Sequence, residues 1–81
     1  AAFIDPATLV YRLISEGHTA AGAEDWVRDT PAWSSAPPTA VDAFARANAR
    51  VWAQIAADDP HPWKQKMAAA TRDWAEHRTR R

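Results

Sequence analysis

The residue types that most often do chemistry are sparse in this sequence. Its three histidines, His18, His61 and His77, lie far apart and form neither an H-x-x-x-H nor an H-E-x-x-H motif, the spacing that places two imidazoles on one helix face to hold zinc. The absence of cysteine excludes a thiolate metal site, a disulfide framework and a cysteine nucleophile. We therefore expect no metal and no cofactor.

The sequence also lacks the residues that catalysis by paired carboxylates, or catalysis on a bound phosphate group, would need. The chain has 2 glycines and none of the glycine-rich phosphate-binding motifs. No nucleophile or complementary acid stands beside the acidic clusters, which are Glu24, Asp25 and Asp29, and Asp58 with Asp59. We expect that the chain is not an enzyme, although a non-catalytic subunit of a heteromeric enzyme remains open.

Tryptophan is the residue type in clear excess, with 5 in 81 residues. Large aromatic side chains dominate the energetics of both cores and interfaces. A single tryptophan is most simply interpreted as core, but one small domain seldom has interior enough for five indoles. Trp33 lies in a proline-rich segment, where it either plugs the core from outside, which we favour, or contacts a partner. The predicted partner-binding residues are Trp33, Trp52, Trp63, Met67 and Trp74.

Basic side chains are concentrated in the second half of the chain, although the net charge is zero. Residues 1–42 carry two basic and six acidic side chains, a net −4, and residues 43–81 carry eight basic and four acidic, a net +4. The alternative function is therefore a small DNA-associated regulator or antitoxin that contacts phosphates through Arg46, Arg50, Arg72 and Arg78. A long proline-rich segment where a helix-turn-helix motif has a tight turn argues against it.

The elements that must position these residues are predicted to be all α-helical, a small bundle of about four short helices. Asp5 is the expected N-cap of the first helix, with Pro6 at its first position and Gly17 after its end. Thr19 and Thr39 are the expected caps of the second and third helices. The predicted ranges are 6–16, 20–29, 40–58 and 62–79, with a proline-rich linker without helix at 30–38.

Two apolar seams predict that the last two helices form an antiparallel hairpin at the centre of a single domain. One seam is Val41, Phe44, Val51 and Ile55, and the other is Trp63, Met67, Ala70 and Trp74. Asn48 stands in the middle of the first seam, where a polar side chain can fix register and oligomeric state. We favour the simpler interpretation of a partly exposed residue at the edge of the seam.

The predicted core is thin, because 20 of the apolar residues are alanines and only 18 are larger. A core of that size roughly balances the entropy of ordering the chain, which favours a protein partner, either a second copy or a larger subunit. No apolar run is long enough for a membrane span, and no signal sequence is visible, so we expect a cytoplasmic protein. The excess of Arg over Lys and the many alanines suggest a bacterial or phage genome.

The sequence therefore predicts a non-catalytic helical protein-interaction module. We expect an accessory subunit of a larger bacterial assembly or enzyme, or a homo-oligomer.

Overall fold

The computed structural model describes residues 2–80, and within them it is all α-helical, as predicted. Five helices follow one another, and no strand occurs in this part of the chain. They are α1 (Ile4–Ser15), α2 (Ala20–Val27), α3 (Pro31–Ser34), α4 (Pro38–Asp58) and α5 (Pro62–Arg80).

The two long helices α4 and α5 form the predicted antiparallel hairpin. Asp42 near the start of α4 contacts Arg78 near the end of α5, whereas Trp52 farther along α4 contacts Trp63 at the start of α5. The turn between them is short because Pro62 begins α5 only four residues after α4 ends at Asp58.

The first helices cover one part of this hairpin and close the core. α1 packs against α2 and α5, with Ala7 and Val10 completely buried. The Phe3 and Phe44 rings meet edge to face, with their centroids 5.9 Å apart. α2 contributes Ala23 and Val27 to the same core, and its predicted cap is present, since Thr19 Oγ1 accepts a hydrogen bond of 3.0 Å from the Gly22 amide.

α1 begins two residues earlier than predicted, and the expectation that Asp5 is its N-cap is wrong. Phe3 occupies the N-cap position without a side-chain hydrogen bond, and its carbonyl accepts from the Ala7 amide at 2.9 Å. Pro6 is tolerated inside the helix because amides of the first turn have no partner within the helix.

Gly17 ends α1 as predicted. Its backbone φ angle is +107°, which residues that carry a Cβ rarely adopt. The His18 amide then donates back to the Leu13 carbonyl at 3.1 Å, so a carbonyl left free by the end of the helix is satisfied.

The prediction of a helix-free linker at 30–38 is wrong. The short helix α3 occupies Pro31–Ser34, and α4 begins at Pro38 rather than at residue 40 with Thr39 as its cap. Each helix has a proline at its start, where the missing amide would have had no partner in any case. α2, conversely, ends at Val27, two residues before its predicted end.

The folded chain has the accessible surface of an ordinary small monomer. That surface is 4938 Å², and a folded monomer of 9.0 kDa is expected to expose about 4,850 Å². Within residues 2–80, none of the helices combines the length and the apolar character needed to cross a membrane.

Candidate functional site

The structure divides the five tryptophans by location. Trp74 lies in the core with Trp33 packed against it, Trp52 and Trp63 lie together beside the α4–α5 turn, and Trp26 projects from α2.

Trp74 is a core residue, which corrects the prediction that it binds a partner. Its side chain is completely buried, and its ring centroid lies 6.4 Å from that of Tyr11 and 6.2 Å from that of Phe44. Trp33 from α3 stacks on it at 6.5 Å and is partly buried, so it plugs the core from outside. Of these two, only the exposed part of Trp33 remains for a partner.

A polar cluster next to Trp74 explains how its indole N–H is accommodated. Trp74 Nε1 donates to Glu24 Oε2 at 2.7 Å, and Arg78 Nη1 donates to the same oxygen at 2.7 Å. Arg78 Nε donates to Asp42, so one guanidinium joins α5 to both α2 and α4. The Arg78 side chain is only 6% exposed. Arg78 is therefore internal, which corrects its prediction as a nucleic-acid contact.

The remaining predicted partner-binding residues come together in one place, which we call the aromatic cleft. It is a cavity of about 290 Å³ between the hairpin and the end of α1. Trp52 and Trp63 meet edge to face at 6.0 Å, and Met67 lies one turn after Trp63. The cleft is lined by Trp52, Trp63 and Met67 of the hairpin and by Tyr11, Arg12 and Glu16 from α1 and its C-terminal end.

Trp63 is the exposed member of the aromatic cleft, with 52% of its surface open to solvent. Its position is set by the stiff turn before it, because Pro62 is the first residue of α5. Lys64 Nζ lies 5.6 Å from the centre of the Trp63 ring and also pairs with Asp59 at 2.7 Å. The indole is thus held at the surface by its neighbours rather than left without contacts.

The polar groups of the aromatic cleft are few and surround its aromatic side chains. Its aliphatic hydroxyl group, on Ser15, donates to the Arg12 carbonyl at 2.6 Å rather than to a side-chain base. Nowhere in residues 2–80 do three or more His, Cys, Asp or Glu side chains come together as a metal site. The aromatic cleft thus has Trp52, Trp63 and Met67 at its base and Arg12 and Glu16 at its border.

The other predicted nucleic-acid contacts, Arg46, Arg50 and Arg72, are exposed. Arg50 and Arg72 border a second concave surface of the hairpin, which we call the alanine groove. It consists of two adjoining cavities of about 410 and 320 Å³ that share Ala49 and Arg72. Its apolar lining is Ala49, Ala53, Ala56, Ala68, Ala69 and Ala75.

Sequence reasoning missed the contribution of α1 to the aromatic cleft and the role of Glu24. Tyr11 and Glu16 lie more than 40 residues from Trp63, and nothing in their spacing indicates that contact. In the sequence Glu24 belongs to an acidic cluster, and its partners Trp74 and Arg78 lie 50 and 54 residues later, so no local pattern indicates this internal pair.

Comparison with protein families, with curated proteins and with solved structures finds no match to this chain.

Proposed function

We propose that the chain is a non-catalytic protein-interaction module whose aromatic cleft accepts an apolar side chain of a partner protein. The observation that carries this proposal is the half-exposed Trp63, packed edge to face on Trp52 beside Met67. Tryptophan is enriched among residues that dominate binding energy, because a large rigid indole buries much area at a small entropy cost.

The border of the aromatic cleft supports a protein partner rather than a small metabolite. Arg12 and Glu16 place one positive and one negative charge beside the apolar base. Such a border orients a polypeptide through rim contacts while the apolar anchor supplies the affinity. The partner we favour is a larger subunit of a bacterial assembly or enzyme, to which this chain is accessory.

The proposal is tested by placing a photo-crosslinking benzoylphenylalanine at Arg12 and irradiating the protein in extract of its source cell. We expect one dominant adduct that disappears when Trp63→Ala is added. Trp26→Ala is the matched control, because Trp26 is another exposed tryptophan and does not line the cleft. An adduct pattern that is the same with and without Trp63 contradicts the proposal.

The partner identified in that way allows a quantitative test. Trp63→Ala is expected to weaken binding by about 2 kcal/mol or more, roughly thirtyfold, as for a central interface tryptophan. Titration calorimetry with Trp26→Ala as the control measures this difference.

The DNA-associated alternative keeps three of its four arginines at the surface, because Arg78 is buried. It requires a gel shift with duplex DNA at low salt that Arg46→Ala with Arg50→Ala abolishes. Absence of any shift with the unmodified chain eliminates this alternative.

A further inference from the structure

The alanine groove is a concave apolar surface on the outside of the α4–α5 hairpin. Its apolar lining side chains are all alanines, so between the polar residues at its border a large flat side chain can approach the backbones of both helices. None of its lining residues belongs to α1, α2 or α3, so the elements that cover the core leave it open.

The charges around the alanine groove select what can cover it. Arg50, Arg72 and Arg80 line it together with one acidic residue, Glu76, and Arg72 also pairs with Asp73 at 3.6 Å. Two grooves placed face to face would bring like charges together, which disfavours a symmetric pairing of this surface with itself. The occupant must therefore combine a large apolar group with acidic neighbours.

α2 presents such a combination on the same chain. Trp26 is 68% exposed, the highest fraction among the large hydrophobic residues, and its ring contact is with the edge of His18 at 6.2 Å. Asp25 precedes it and pairs with Arg28 at 3.3 Å, whereas the exposed Asp29, just after α2, has no ion pair among the residues the structure describes. Trp26 lines neither cavity of the alanine groove, so the two surfaces do not meet within one molecule.

We propose that the alanine groove binds a second copy of this chain, with Trp26 of one copy inserted between α4 and α5 of the next. The exposed carboxylate of Asp29 on one copy and the exposed guanidinium groups of Arg50 and Arg80 on the next favour this head-to-tail arrangement. In such a pair, one copy still has a free alanine groove and the other still has a free Trp26. Further copies can therefore bind, and the assembly grows into a ring or an open chain. This association uses neither Trp52 nor Trp63 and is independent of the aromatic cleft.

One indole and a few charges bury less than the roughly 1,000 Å² of a stable interface, so we expect weak association. Light scattering should show a mass that rises with concentration between roughly 0.01 and 1 mM at low salt, the range of weak affinities. The rise should be strongly reduced at about 1 M salt, where charge attraction is screened within about 3 Å. A chain that stays monomeric throughout this range at low salt overturns the proposal.

Two variants test the two surfaces separately. Trp26→Ala removes the inserted side chain, and Ala53→Lys blocks the alanine groove with a long side chain of unfavourable charge. Each should weaken association by at least about tenfold. Ala47→Lys is the matched control, because it changes an exposed alanine of the same helix that lines neither cavity.

A mixture of Trp26→Ala and Ala53→Lys gives the sharpest test. Each variant keeps the surface that the other lacks, so the mixture should form one-to-one dimers and nothing larger, although neither variant associates alone. Circular dichroism on the same samples confirms that both remain helical. Association left unchanged by either variant, or a mixture that stays monomeric, overturns the proposal, and an unchanged association of Trp63→Ala separates this result from the function of the aromatic cleft.

Discussion

At the scale of single residues, two polar side chains inside the α4–α5 hairpin have opposite effects on the stability of the fold. Arg78 is nearly buried but has carboxylates of two other helices as partners. Asn48 lies in the seam of α4, and its Nδ2 is buried without a hydrogen-bond partner among the residues the structure describes. Burial of a polar group is tolerated when it is paired and is unfavourable when it is not.

Arg78→Ala is expected to lower the free energy of unfolding by about 3–5 kcal/mol, because it leaves Glu24 and Asp42 without their common partner in a partly buried position. Urea denaturation measures this change. Arg72→Ala, at an exposed position of the same helix, should change the stability by no more than about 0.5 kcal/mol. Equal effects of the two substitutions would show that the internal cluster is solvated.

Asn48→Leu is expected to raise the free energy of unfolding by about 1 kcal/mol. The substitution removes an amide that is buried without a partner and replaces it with an apolar side chain of similar size. The same denaturation experiment measures it, with Gln54→Leu as the exposed control on α4. A loss of stability would instead mean that the Asn48 amide is satisfied in solution.

At the scale of the elements, the helix ends show what the sequence can and cannot indicate. The Thr19 cap and the Gly17 stop follow from local chemistry, and both are present. The predicted linker at 30–38 is wrong because proline disfavours the interior of a helix but favours its first turn, and α3 and α4 each begin with a proline. Pro6 is compatible with any position of the first turn, so it does not fix the start of α1, which lies two residues before the predicted one.

Thr19→Ala is expected to destabilise the protein by about 1 kcal/mol, because the Gly22 amide loses its acceptor at the start of α2. Thr19→Ser keeps the hydroxyl and should retain most of that stability. The free energies of unfolding of the two variants give the comparison. If both variants lose the same free energy of unfolding, the methyl group of Thr19, and not its capping hydroxyl, stabilises the protein.

At the scale of the whole molecule, the five tryptophans fall into two groups, those that form or cover the core and those at the surface. The sequence correctly marks them as unusual but cannot separate core from surface, because that depends on how α1 and α3 lie on the hairpin. Trp74 became core through contacts with residues at least 30 positions away, such as Phe44 and Tyr11. Trp52, Trp63 and Met67 meet because the hairpin brings their positions together, and the predicted seams did contain Trp63 and Met67.

The most direct test of this account compares the free energies of unfolding of Trp63→Ala and Trp74→Ala. We expect Trp74→Ala to lose about 3–5 kcal/mol, as for a core tryptophan, and Trp63→Ala to lose no more than about 1.5 kcal/mol. The smaller loss follows because Trp63 is half exposed and alanine is the better helix former. Similar losses for both variants would show that the aromatic cleft belongs to the core and would contradict its assignment as a binding surface.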